Sequence, residues 1–316
     1  MDAALFLADL EAKPPALHTL ADALDRPFAG VPAQVRRVVF LGMGSSRYAA
    51  DVAASRLRAA GVDAVAEYAS ARLGYPADPS TLVVAISASG GSRETLDAVA
   101  RYRGRSFVVA LTNKPGSAIT EGADLVVPML AGEETGGVAC RTFQHTLVLL
   151  LALVDQLTGT HPDISGLVRR AAEATADLLD RRGAWLDEAV ALLDGPHGVY
   201  TIAPAERLSS ARQSALMFRE GPRRQADACE TGDWAHVDVY LTKTYDYRAL
   251  VFPGSPYDEQ AMDWIRQRNS TVLTVGGSLD GESGSIRYRH DEDPDVALLT
   301  ETLVAELIAA AYWRIG

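Results

Sequence analysis

A chain of 316 residues, 48% hydrophobic and 22% charged, has room for two ordinary α/β domains of about 150 residues each. Its formal net charge of −11 argues against nucleic acid as a partner, because that affinity comes from clustered lysine and arginine neutralising phosphates. No uninterrupted apolar run reaches the roughly 18 to 20 residues of a spanning helix, the longest being Leu147–Leu153. The opening MDAALFLADLEAKPP lacks the basic, apolar and small-residue regions of a secretory signal, so no membrane partner and a cytoplasmic location are expected.

In chain order, residues 1–30 read as a helical segment, with Ala3–Leu24 broken at Pro14-Pro15. Residues 31–160 alternate short β-branched runs, Val38–Leu41, Ala64–Tyr68, Val83–Ile86, Phe107–Leu111 and Leu125–Val127, with stretches of helical length and period. The runs are apolar without strict alternation, as strands covered on both faces must be. A doubly wound, mainly parallel α/β sheet flanked by helices is therefore expected. Residues 161–195 break this rhythm: Leu167, Ala171, Ala174 and Leu178 recur at helical spacing with charges between them, which reads as a helical connector. Gly195-Pro196 ends it. A second α/β series over residues 196–316 starts with Val199–Ile202, Ala249–Phe252 and Thr271–Val275 and finishes in a helix near Val296–Tyr312. Strand, turn and helix recur in Val38–Ala60 and Val199–Gly221, and again in Val83–Tyr102 and Leu250–Gln267, the mark of a diverged duplication.

Cys140 and Cys229 have neither CxxC spacing nor paired histidines, so buried, reduced thiols are expected rather than zinc ligands or a disulfide. Two loops carry more information. Gly42-Met43-Gly44-Ser45-Ser46-Arg47 follows a strand and opens a helix, so its glycines permit tight backbone and its serines face whatever lies at the helix end. A dinucleotide fingerprint would need glycine where Arg47 stands. Ser87-Ala88-Ser89-Gly90-Gly91-Ser92 repeats the arrangement before a helix whose first turn carries Glu94 and Thr95. For one such loop alone, a capping serine in a solvated turn is as good an account as a ligand site. Two loops at neighbouring strand ends favour an anion, such as a phosphate monoester, held by amides and hydroxyls with no metal or other cofactor. The matching turns of the second half are thinned to Ala203-Pro204-Ala205 and Gly254-Ser255-Pro256, which places the anion site in the first half.

Gly42–Tyr48, Ser87–Thr95 and Ala131–Leu147 resemble the SIS (sugar isomerase) domain family, and within it the isomerase half of glucosamine-6-phosphate synthase, over nearly the whole chain. The resemblance implies two five-stranded subdomains, Ser87, Ser89 and Ser92 as phosphate ligands, and Gly44, Ser45 and Ser46 lining the sugar pocket. It implies charged roles for Glu134 and Arg141 in the loop after the last strand of the first half, where a solvated face would serve equally. It further implies Glu220 and His236 as an acid–base pair, although either residue alone has a structural reading. Moving a proton between C1 and C2 of an open-chain sugar needs a carboxylate, and opening the ring needs a second proton shuttle, which suits histidine.

Departures from the pattern matter too. Ala88 stands at a glutamine position and removes one phosphate contact, and Met217 stands at a lysine position. The sequence also shows neither a glutaminase nor a C-terminal lysine tail, so glutamine-dependent synthesis is not expected. The expected activity is aldose–ketose isomerisation of a sugar 6-phosphate or C–N cleavage of an aminosugar or fructosamine phosphate. A sugar-phosphate-binding regulator without catalysis is the rival. Family members place the ring-opening histidine in a neighbouring subunit's pocket, which implies a homodimer or dimer of dimers with shared active sites.

Overall fold

A computed structural model describes residues 1–160 and 163–315. The chain divides into two compact units, Ala16–Glu133 with Arg141–Val168, and Met1–Pro15 with Glu134–Cys140 and Arg169–Gly316. It opens with helices α1 (Ala3–Glu11) and α2 (Lys13–Ala23). Asp2 caps the first, its Oδ1 accepting from the amides of Ala4 and Leu5 at 2.9 Å. Pro14 and Pro15 fall in the first turn of α2, where a missing N–H costs no helical hydrogen bond, so the prolines start a helix just beyond the break at Ala12.

The first unit is built from β1 (Arg37–Gly42), α3 (Ser45–Ala59), β2 (Asp63–Tyr68), β3 (Thr81–Ile86), α4 (Arg93–Ala100), β4 (Phe107–Thr112), β5 (Leu125–Pro128) and α5 (Arg141–Thr158). All five strands are parallel, in the order β2-β1-β3-β4-β5. Every residue of β3 is buried, which is why its sequence shows no polar alternation. On one face Val39, Leu41, Val83, Ala85, Val108 and Ala110 meet Ala98 and Val99 of α4. The other face lies under α3, which also packs along α5.

Helices α6 (Ile164–Asp180) and α7 (Leu186–Leu193) fill the stretch expected to be helical. The second sheet follows, with β6 (Val199–Ala203), α8 (Leu208–Glu220), β7 (Ala226–Glu230), α9 (Thr231–Trp234), β8 (Arg248–Val251), α10 (Asp258–Gln267), β9 (Thr271–Val275), β10 (Gly284–Ile286), α11 (Pro294–Thr300) and α12 (Thr302–Ile315). Its order, β7-β6-β8-β9-β10, is that of the first sheet, again all parallel. The β1–α3 and β6–α8 units, and the β3–α4 and β8–α10 units, hold equivalent positions, so the recurrence in the sequence is a recurrence of architecture.

The two faces of the second sheet are covered differently. Tyr200, Ile202, Cys229, Ala249 and Val251 pack under Trp234, Val239, Tyr247 and the α10 residues Ala261, Met262 and Ile265. Trp234 is fully buried there and donates its Nε1–H to the Tyr247 hydroxyl at 2.8 Å. On the opposite face the Thr201 hydroxyl donates to the carbonyl of Ala211 in α8 at 2.8 Å, and α8 packs against α12.

Residues 294–315 leave the expectation of no uninterrupted apolar run standing. This stretch is long and apolar enough to cross a membrane by length and composition, with a mean hydropathy of 1.5, yet 89% of its apolar window is buried inside the protein. A search for uninterrupted apolar runs passes over it because Asp295, Glu301 and Glu306 interrupt it. It is the pair α11 and α12, divided at Glu301.

Candidate functional site

In the first sheet the chain leaves β1 towards β2 on one side and leaves β3 towards β4 on the other, so the strand order reverses between β1 and β3. Open α/β sheets bind ligands at the carboxyl ends of such strands. Both serine loops lie at that edge, because β1 and β3 are parallel neighbours with Leu41 opposite Ala85.

The first loop turns at Gly44, whose φ of +50° and ψ of −129° favour glycine. Gly42 has no room for a side chain, since a Cβ would come within 3.0 Å of the Cβ of Ser46. Ser45 and Ser46 form the first turn of α3, both half-buried. Arg47 is drawn aside: it pairs with Asp51 at 2.9 Å and its guanidinium lies 4.1 Å from the Tyr68 ring centre.

In the second loop the three serines differ in accessibility. Ser87 is 6% exposed and braces the turn, its hydroxyl accepting from the Gly90 amide at 3.1 Å. Ser89 is exposed and accepts a longer bond from the Gly91 amide at 3.4 Å. Ser92 holds the N-cap position of α4 without capping it; its hydroxyl donates to Glu94 at 3.1 Å and accepts from Thr95 at 3.2 Å. Its own backbone amide first, and the Ser92 hydroxyl second, hold the Glu94 carboxyl below the ordinary range. Gly90 sits at φ +66°, and a Cβ there would stand 1.8 Å from the Ser117 hydroxyl.

That last contact brings in residues the sequence reading passed over. The loop after β4 lies beside the serine loop: the Asn113 amide donates to the Ala88 carbonyl at 3.2 Å, and Thr112 flanks Gly90. Asn113 also joins the loop after β5, donating from Nδ2 to Gly132 O at 2.6 Å and accepting from the Ala131 amide at 3.0 Å. Arg141, the first residue of α5, is 7% exposed and donates to the Glu133 carbonyl, so it is a buried brace rather than part of a solvated face.

The corresponding edge of the second sheet is already filled. The amides of Gly254 and Ser255 both donate to Oδ2 of Asp258, at 2.6 and 3.0 Å. Next to it Arg207 Nη1 pairs with Glu301 at 2.7 Å, and burial pushes the Glu301 carboxyl up to about 7 against the pull of that cation. These carboxylates stand where the first half offers hydroxyls.

Glu220 ends α8 and is half-buried. Burial first, and the neighbouring Glu134 carboxylate second, hold its carboxyl above the ordinary range. Among the described residues none donates a hydrogen bond to it. The segment Glu134–Cys140 belongs to the same unit as α8, and Glu134 Oε1 accepts from the Cys140 amide at 2.7 Å. His236, exposed and two residues beyond Trp234, belongs to the segment covering the other face of the second sheet. One chain therefore brings Glu134 to Glu220, and sets Glu220 and His236 on opposite faces of one sheet. Cys140 and Cys229 are both buried free thiols. Among the described residues no group of three or more histidine, cysteine or acidic side chains could hold a metal ion.

Asp238, beside His236, gives a pH-dependent stability. Burial, then the charges of Asp227 and Asp233, push its carboxyl up to about 6. A carboxyl that holds its proton more tightly when folded contributes stability at low pH that is lost as pH rises from its unfolded value through 6. Asp238→Asn is thus expected to be more stable than wild type above pH 6, by about 1 kcal/mol after solvent screening, and the gap should close below about pH 4. Urea denaturation at pH 8 and pH 4 reads this directly.

Residues 33–155 match the family model described as SIS domain. The glutamine–fructose-6-phosphate aminotransferase (isomerizing) of Aeropyrum pernix is 31% identical over 264 residues, covering 79% of this chain and 43% of that protein. Its counterpart in Pyrobaculum aerophilum is 29% identical over 276 residues, covering 84% and 44%. The chain thus spans less than half the length of these curated relatives. Among solved structures, the C-terminal domain of the Francisella tularensis glucosamine-fructose-6-phosphate aminotransferase superposes with a TM-score of 0.83 at 18% identity, over 98% of this chain and 95% of that one. The tagatose-6-phosphate ketose/aldose isomerase of Escherichia coli gives 0.79 at 17%, over 100% and 95%. The glucosamine-6-phosphate deaminase of Thermotoga maritima gives 0.77 at 17%, over 98% and 94%. At such identities the structural likeness is one of fold.

Proposed function

This chain belongs to the SIS domain family, and from that premise we propose that it is a phosphosugar enzyme performing acid–base chemistry at C1 and C2 of a sugar 6-phosphate. The observation that carries the reading is the Glu220 carboxyl, half-buried, free of donors among the described residues and raised by burial and by Glu134. A carboxyl so placed binds a proton more tightly than an ordinary carboxylate, which favours it as a general base at a sugar carbon. The Ser45–Ser46 and Ser87–Ser92 loops supply the amides and hydroxyls for the phosphate, with Ser89 and Ser92 its accessible contacts and Ser87 the brace behind them.

Ketose–aldose isomerisation and C–N cleavage share the first step, proton removal beside a carbonyl or imine carbon. The similar folds of an isomerase and a deaminase support the pair of reactions equally. His236 opens the sugar ring, and we assign that role to the histidine of a second copy, because α8 and the His236 segment cover opposite faces of one sheet. The working form is a cytoplasmic homodimer or dimer of dimers.

A thermal-shift screen of glucose, fructose, glucosamine and fructosamine 6-phosphates against their unphosphorylated parents tests the reading, followed by solvent deuterium incorporation at C1 and C2. The phosphates alone should raise the melting temperature, and one of them should exchange. Binding with neither exchange nor product would make the chain a sugar-phosphate sensor instead.

A further inference from the structure

The amides and hydroxyls of the two serine loops can meet the hydrogen bonds of a phosphate monoester but not its charge of about −1.5 to −2 at neutral pH. The arginines on these loops are engaged or turned outward. Arg47 is paired with Asp51 and stacked on Tyr68. The side chain of Arg93, the first residue of α4, is 91% exposed and lies 3.9 Å from Asp97. Ala88, between two serines, brings no side-chain donor at all.

The loop that follows β4 carries a further cation. The Thr112 hydroxyl joins this loop to the serine loop, donating to the Ala88 carbonyl at 3.4 Å and accepting from the Lys114 amide at 3.2 Å. Further along, the Ile119 amide donates to the Gly90 carbonyl at 3.0 Å. Between these anchors Lys114-Pro115-Gly116-Ser117 forms a tight turn. The Ser117 amide and hydroxyl both donate to the Lys114 carbonyl, at 3.1 and 2.6 Å, with proline second and Gly116 third at φ +85°, the residues a type II turn requires. Lys114 therefore starts from a fixed point one hydroxyl away from Ala88, and its flexible four-carbon stem gives the ammonium the reach of the exposed Ser89.

The chain has three lysines. Lys13 is buried against Glu306 and Lys243 lies over the Tyr240 ring at 5.2 Å, whereas Lys114 is exposed and its ammonium has no hydrogen bond or ion pair among the described residues. We propose that Lys114 is a binding residue for the substrate's anion, its ammonium closing on the phosphate that the serine loops hold; this deepens the function proposed above and rests on it. A cation without a protein partner breaks no ion pair when it engages a ligand, so the attraction is not offset by a lost contact. At an exposed site the gain is modest, and salt screens it.

Reductive carbon-13 methylation keeps the charge of lysine, and with so few lysines the signals are readily told apart by NMR. Inorganic phosphate added at pH 8 should shift the signal that is missing in Lys114→Met. By calorimetry, Lys114→Met should bind phosphate about fivefold more weakly than wild type at low ionic strength, with the gap closing in high salt, and Lys114→Arg should restore most of the affinity. Arg93→Gln removes an equal charge from the same edge and should change affinity less than about twofold. With a sugar phosphate that is turned over, Lys114→Met should raise KM by the same factor as the loss of affinity and leave kcat in place. An unmoved Lys114 signal in phosphate-bound protein overturns the proposal, as does wild-type affinity in Lys114→Met or an equal loss in Arg93→Gln. Phosphate that binds no variant and not the wild type would remove the anion site itself, and both readings with it. A protein that binds phosphate through Lys114 but processes no sugar phosphate would refute the enzyme reading and leave this one standing.

Discussion

Glu220→Gln is expected to lower turnover of the true substrate by about a thousandfold while ligand affinity changes less than about threefold. The exchange keeps the side chain's shape and removes only its ability to take a proton. It also removes the repulsion from Glu134, so the variant should melt no lower than wild type, and a loss of activity cannot be assigned to unfolding. Steady-state assays beside calorimetric binding separate the two quantities. A variant with unchanged turnover would take Glu220 out of the chemistry, and one with lost affinity would make it a binding residue.

The second large effect concerns pairs of chains. Glu220→Gln and His236→Ala should each be nearly inactive alone, and unfolding and refolding them together should restore about a quarter of wild-type activity, the share of intact sites in randomly mixed dimers. The expectation follows from the covering of the second sheet: α8 lies on the Thr201 side, whereas the His236 segment follows Trp234 onto the Tyr200 side. If one chain supplied both groups to one substrate, the mixture would stay as inactive as its components. Activity of mixtures across a range of ratios distinguishes these outcomes.

The central strands were legible in the sequence because burial on both faces leaves a continuous apolar run, as in Val83–Ile86. The edge strands of the second sheet were not. β7 reads Ala-Asp-Ala-Cys-Glu, with only Ala226 and Cys229 buried, and β10 has three residues beginning Gly284-Ser285. Neither shows an apolar run, since an edge position needs none. The serine loops were legible as turns because glycine and serine between an apolar strand run and a helical stretch mark a strand-to-helix turn. Ser117 was not, since it meets Gly90 only through the fold. The Lys13–Glu306 pair spans 293 positions, and nothing local to either residue announces it. Arg141, equally suited to a solvated face by its letters, is a buried brace because its guanidinium turns back onto its own loop.

The Gly254–Asp258 turn bears on how the molecule responds to its surroundings. A carboxylate joined by four residues to the amides it occupies competes as though present at enormous local concentration, so no dissolved anion displaces it at ordinary cellular levels. Of two lobes with one strand order, the later holds a permanent internal occupant at its turn, so under the function proposed above a change in metabolite supply would be registered by the earlier alone.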